Sequence, residues 1–133
     1  MLNFSLSEEQ LALRDSVRKF VQNDILPVAP LYDESSEFPR PIVNKAWEMG
    51  LMNTIVPQKF GGLGASIVDD VIINEELGAG CLGIGTSICV NNLGLWPILL
   101  GGTDAQIEKF VGPLIKEPKL ISFCLTEPGA GTD

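Results

Sequence analysis

Residues able to do chemistry concentrate in one stretch, Leu125-Thr126-Glu127-Pro128-Gly129-Ala130-Gly131-Thr132-Asp133. Two hydroxyls and several backbone N–H groups surround a turn punctuated by Pro128, Gly129 and Gly131. Glycine lacks the Cβ that would hold a ligand off the main chain, and hydroxyls beside free N–H groups suit phosphate or carbonyl oxygens. As a bare pattern the same string also reads as an ordinary turn at a strand end. Other chemistries are excluded by what is missing. With no histidine in the sequence, imidazole acid–base catalysis, Ser/Cys-His pairs and most zinc sites are ruled out within it. Cys81, Cys89 and Cys124 show no C-x-x-C spacing and lie among apolar residues, which suits free thiols in a reducing compartment.

Composition narrows the partners. The chain has 133 residues, 45% of them hydrophobic, enough to bury a core of its own as one domain. Nine basic against seventeen acidic residues give a net charge of −8 without any Lys/Arg cluster, so the footprint of a nucleic-acid or membrane-surface binder is absent. A polyanionic ligand must find its basic contacts elsewhere. Residues 77–103 carry no charge, but Asn91, Asn92, Pro97 and glycines 83, 85, 94, 101 and 102 interrupt them. The expectation is therefore buried helices and turns with no uninterrupted membrane-spanning segment. Met1-Leu2-Asn3-Phe4 has no basic n-region, apolar h-region or Arg-rich presequence. The expected location is the cytoplasm, or the mitochondrial matrix if a presequence has been removed.

The elements that position the turn read as helices. Ser7 to Gln10 has capping-box spacing, with Leu6 and Leu11 placed for a staple, and Leu13, Val17, Phe20 and Val21 follow on one face. Pro27 and Pro30 end or kink that helix, and Tyr32 to Phe38 reads as a short helical turn and loop. Pro41 suits the first turn of the next, with Ile42, Ala46 and Met49 inward and Gly50 terminating it. Thr54 to Gly64 is a loop. Ser66 caps a helix with Val68, Val71, Ile72 and Leu77 inward and Asp69, Asp70, Glu75 and Glu76 mainly outward. A buried helix over Leu82 to Leu93, a short one over Trp96 to Leu100, and one from Thr103 to about Ile115 follow, before Pro118 and a strand over Leu120 to Thr126. No repeat or low-complexity tract is present.

Four stretches carry a family resemblance: the L-T-E-P-G-A-G-T-D string, Lys45 to Thr54, Gly61-Gly62-Leu63-Gly64, and Glu75-Glu76-Leu77-Gly78. The chain resembles the acyl-CoA dehydrogenases along nearly its whole length. The W-E-M-G-L-M-N-T run and the turn around Cys81 are most similar to the medium-chain type. The resemblance implies an all-α N-terminal domain over residues 1–118, then the first strand of a middle β domain over residues 119–133, with the rest of that domain and a C-terminal helical bundle absent from this sequence. It implies an FAD-dependent flavoprotein that introduces an α,β double bond into acyl-CoA thioesters, in fatty acid β-oxidation. Family members are homo-oligomers that pass electrons to electron-transfer flavoprotein.

Residue by residue, Phe123, Cys124, Leu125, Thr126, Glu127, Pro128, Gly129, Ala130, Gly131 and Thr132 match the flavin-binding segment. Phe123 and Leu125 would wall the ring, Thr126 would bond its N5/O4 edge, and Thr132, where many relatives carry Ser, would meet the FAD pyrophosphate or the substrate. Gly85, Thr86, Cys89, Val90 and Leu93 match the inner end of the acyl-chain pocket, with plain core packing as the alternative. Gly85 and Cys89 are smaller than the polar residues typical of the medium-chain type, which would deepen that pocket. Leu13, Leu51, Leu63 and Ile73 match an exposed apolar patch for electron-transfer flavoprotein, with core packing slightly favoured. Trp47 and Trp96 read as packing anchors. No residue matches the family's downstream glutamate base, and Glu127 reads as structural, so the chain alone is expected to be inactive. The alternative is a non-catalytic helical subunit or fragment that assembles with a partner chain.

Overall fold

A computed structural model describes residues 5–131. Helix α1 spans Glu8–Phe20 and runs into a π-helical turn, Val21–Ile25; α2 is Ala29–Ser35, α3 Arg40–Glu48, α4 Ile67–Gly80, α5 Leu82–Gly101 and α6 Asp104–Lys116, with a 3-10 turn at Gln58–Phe60. The fold is all-α. Three helices begin as their local chemistry demands: the Ser7, Ser66 and Thr103 hydroxyls accept from the N–H groups of Gln10, Asp69 and Gln106, whose side chains return a bond to the cap backbone. Pro30 and Pro41 sit in the first turns of α2 and α3, where no N–H is needed.

Packing follows the apolar positions. Helix α4 lies against α1 and α5, while α3 and α6 contact other parts of α5. One core joins Val17, Phe20, Val21 and Ile25 to Val43, Ala46, Ile73, Leu77, Ile84 and Ile88. A second joins Val56, Leu95, Ile107, Val111 and Leu114. Helix α5 borders both, giving Ile84 and Ile88 to the first and Leu95 to the second, while Leu82, Leu93 and Leu100 remain exposed.

Several expectations are corrected. Trp96 does not start a separate helix: α5 runs unbroken through Pro97. Pro97 and Leu93 are exposed, so water can satisfy the carbonyl that loses its N–H partner. At 20 residues and mean hydropathy 1.3, α5 is long and apolar enough to cross a membrane. Part of it is buried against α3, α4 and α6, and two buried asparagines within it bond their amides inside the protein. Met49 is exposed, and Val43 joins Ala46 in the core instead. Val68 and Val71 are about half exposed, at 50% and 49%, while Ile72 and Ile73 are buried. Helix α4 is turned so that its acids tie the bundle together: Asp69 accepts from Gln10 at 3.0 Å, and Glu76 forms a two-pronged pair with Arg18 at 2.9 and 2.5 Å. Finally, residues 120–126 form no strand. The described residues contain only one isolated bridge, Glu127 to Ala130, because a strand exists only through a neighbour and none flanks this segment.

Candidate functional site: a groove on α4 and α5 and the turn beyond α6

Gly85, Thr86, Cys89, Val90 and Leu93 come together along one groove of about 290 Å³, completed by Asp70, Asn74, Gly78, Leu82, Asn92 and Trp96. Helices α4 and α5 meet through a single extended residue, Cys81, and so run back along each other as a hairpin. Gly85 permits their close approach: a Cβ there would lie 3.2–3.3 Å from the Leu77 backbone and side chain. Its small size therefore serves helix packing as well as groove depth. Thr86 is already engaged, donating to Leu82 O at 2.8 Å. Trp96 is an exposed groove wall rather than a packing anchor, whereas Trp47 does anchor, donating to Leu114 O at 2.9 Å.

The Cys89 thiol sits largely out of water, and burial, with a smaller contribution from the Asp70 carboxylate, pushes its pKa up to about 12. Cys124 is exposed. Iodoacetamide at pH 8 should therefore modify Cys124 readily and Cys89 much more slowly, as read by peptide mass; equal labelling would mean that the Cys89 thiol is not held out of water.

The Pro-Gly turn is carried by a segment docked onto the opposite flank of α5. Fully buried Asn91 donates to Asn53 Oδ1 and to Lys119 O, both at 2.9 Å, and accepts from Ile121 N at 3.1 Å. Asn53, at φ 57°, donates in turn to Leu114 O at 2.9 Å. A left-handed conformation that asparagine tolerates thus aims its amide at the end of α6. Gly94 lets the segment lie flat, since a Cβ there would stand 3.0 Å from Ile121 Cγ2 and 3.3 Å from Ser122 O. Beyond it, Glu127 and Ala130 exchange backbone bonds of 2.8 and 3.2 Å around Pro128 and Gly129. Phe123, Cys124, Leu125, Thr126 and the turn through Gly131 are all exposed. Thr132 lies outside the described residues.

Neither Gly129 nor Gly131 has positive φ. A Cβ on Gly129 would meet nothing within 4 Å, and one on Gly131 only Thr126 Cγ2 at 3.7 Å. Nothing within the described chain thus demands glycine at either position, and the bare backbone of the turn is exposed.

The comparisons with known proteins fall on the same ground. The sequence model of the family described as "Acyl-CoA dehydrogenase, N-terminal domain" matches residues 7–118. The chain belongs to this family. It is 39% identical over 132 residues to a probable medium-chain specific acyl-CoA dehydrogenase 2, mitochondrial, of Caenorhabditis briggsae, covering 99% of this chain and 32% of the relative. A chain in a structure of the electron transferring flavoprotein of Acidaminococcus fermentans superimposes with TM-score 0.89 at 28% identity, covering 98% of this chain and 35% of that one. An acyl-CoA dehydrogenase complexed with FAD from Bacillus anthracis superimposes with TM-score 0.84 at 30% identity, covering 98% and 23%. The chain thus spans about a third or less of the length of these relatives.

In the acyl-CoA dehydrogenase N-terminal domain formed here, Leu51 and Ile73 are buried at 5% and 2% exposure, while Leu63 is exposed. The two buried residues are core, and no apolar patch composed of Leu13, Leu51, Leu63 and Ile73 is presented to a partner. Sequence patterning also missed Asn91, Asn92 and Asp70. Two amides inside an uncharged apolar run call for buried partners, but nothing local in the sequence says where those partners are. On α4, Asp70 belongs to the groove and Asp69 and Glu76 to contacts with α1, whereas Glu75 is exposed as expected.

Proposed function

We propose that this chain is the N-terminal part of an FAD-dependent acyl-CoA dehydrogenase, in which the α4/α5 groove takes the acyl chain and the turn beyond α6 forms one wall of the flavin site. The observation that carries this is the convergence of Gly85, Thr86, Cys89, Val90 and Leu93 on a single groove. The division we propose places the helical domain at residues 1–118 and a flavin-contacting segment at residues 119–133.

The uncovered glycines and the exposed Thr126 hydroxyl fit the edge of a flat, oxygen-bearing ring. FAD, when bound, supplies the hydride acceptor for an acyl thioester. Thr126 would donate to an oxygen or nitrogen on the flavin edge, Phe123 and Leu125 would exclude water from its face, and Thr132 would reach the pyrophosphate or substrate. The groove would hold the alkyl chain so that the α and β carbons stop at a fixed distance from the flavin. Asp70 is the only carboxylate among the described residues of the groove, and we assign the α-proton base to a glutamate outside this chain. Exposed Leu82, Leu93 and Leu100 on α5, at 75%, 54% and 79%, support cover by further domains. Electron-transfer flavoprotein as electron acceptor and assembly into homo-oligomers belong to the same proposal, as does residence in the cytoplasm or mitochondrial matrix.

Flavin titration of the 133-residue chain should give weak or no retention, and dye-reduction assays with acyl-CoAs should stay at the flavin-only background. A stoichiometric yellow complex surviving desalting would contradict the proposal that the chain supplies only one wall. Joined to the family's remaining domains, the same residues should support anaerobic bleaching of bound FAD by acyl-CoA. Failure with every chain length would remove the dehydrogenase assignment.

A further inference from the structure

The groove has two chemically different sides. Helix α5 contributes neutral residues, among them Gly85, Cys89 and Val90, whereas α4 contributes Asp70 and Asn74. Asp70 is fixed in place: its Oδ1 accepts from Thr54 Oγ1 at 2.7 Å and from Asn92 Nδ2 at 2.8 Å, and Asn92 Nδ2 also reaches Thr54 Oγ1 at 2.8 Å. Thr54 is fully buried and Asn92 is 7% exposed, so the carboxylate cannot swing away without stranding two buried partners. Among the described residues its Oδ2 takes no hydrogen bond, no Lys or Arg pairs with it, and Asn92 Oδ1 is itself left without a partner. The charge is felt across the groove, since it contributes to raising the Cys89 thiol.

A fixed anion with an unused lone pair rewards a hydrogen-bond donor, is desolvated at a cost by a plain alkyl chain, and repels a second anion. We infer that Asp70, held by Thr54 and Asn92, is a specificity-determining residue that favours an acyl chain bearing a hydroxyl remote from its thioester and rejects one bearing a carboxylate there. This deepens the acyl-site proposal and rests on it for the class of occupant.

The test needs neither flavin nor turnover. Titration of the isotopically labelled chain with 10-hydroxydecanoate, decanoate and decanedioate, followed by NMR at the Asn92 side-chain amide, gives three affinities. Hydroxydecanoate should bind at least ~10-fold more tightly than decanedioate, with decanoate between them. Asp70→Asn keeps the shape and removes the charge, and should shrink that ratio to less than ~3-fold. Asn74→Asp, at an exposed position of the same wall, should widen it and serves if the first variant fails to fold. Equal binding of hydroxy and dicarboxylic chains, or a ratio unmoved by either folded variant, overturns the inference. So does the absence of any saturable shift at Asn92. Discrimination in the groove together with a failure of acyl-CoA to bleach FAD in the complete assembly would count against the dehydrogenase assignment alone.

Discussion

Thr126→Val, in the enzyme assembled from this domain and the family's others, should slow flavin reduction roughly ten- to a hundred-fold while leaving the fold intact. Valine keeps the branched shape and removes only the hydroxyl. Thr126 is exposed, and no hydrogen bond of its side chain is formed within the described residues, so the domain itself loses nothing by the change. The loss arises only if the hydroxyl meets the flavin, where an acceptor left unpaired costs about 1–3 kcal/mol. Stopped-flow absorbance during anaerobic mixing with acyl-CoA measures it. Reduction at the parent rate would return Thr126 to the role of an ordinary residue beside a turn.

The second large effect is on stability. Asn91→Leu should destabilise the domain by about 3–5 kcal/mol, because it strands the buried Asn53 Oδ1, removes the partners of the part-buried Lys119 O and Ile121 N, and forces a larger apolar chain into the fully buried place of Asn91. Chemical denaturation provides the number. The same variant should free residues 119–131 from α5, seen as faster amide exchange at Ile121 than in the α1 and α4 core. A loss below about 1 kcal/mol, with Ile121 still protected, would show that the segment is held by something other than Asn91.

These two residues also mark what can be read in advance. Ser7, Ser66 and Thr103 were legible as helix starts because a capping box is closed within four consecutive residues. The groove residues 85, 86, 89, 90 and 93 on α5 were legible through the family resemblance, since helical spacing puts them on one side without distinguishing a groove wall from core. Asn91 was not, since its partners lie 38, 28 and 30 residues away in sequence, beyond the range of any local pattern. Helix α4 misled for a related reason. Ile67, Val68, Val71, Ile72 and Ile73 give it apolar residues on nearly every side, so periodicity could not say which side faces α1 and α5. The strand over residues 120–126 misled because weak alternation describes one chain, whereas a strand is a property of two. Trp96 and Pro97 suggested a break that α5 avoids by placing the proline on its wet side.

The central claim is that the α4/α5 groove holds the acyl chain of a dehydrogenation substrate. Cys89→Leu tests it most directly, because the added bulk enters the groove where Cys89 now stands largely buried. The measurement is kcat/KM for butanoyl-CoA against dodecanoyl-CoA in the complete enzyme, parent and variant side by side. Short chains should retain their rate to within about twofold while long chains lose at least about tenfold, since filling a pocket by a few carbons costs roughly 1–3 kcal/mol. Equal losses for both substrates, or none for either, would contradict the assignment of this groove to the acyl chain.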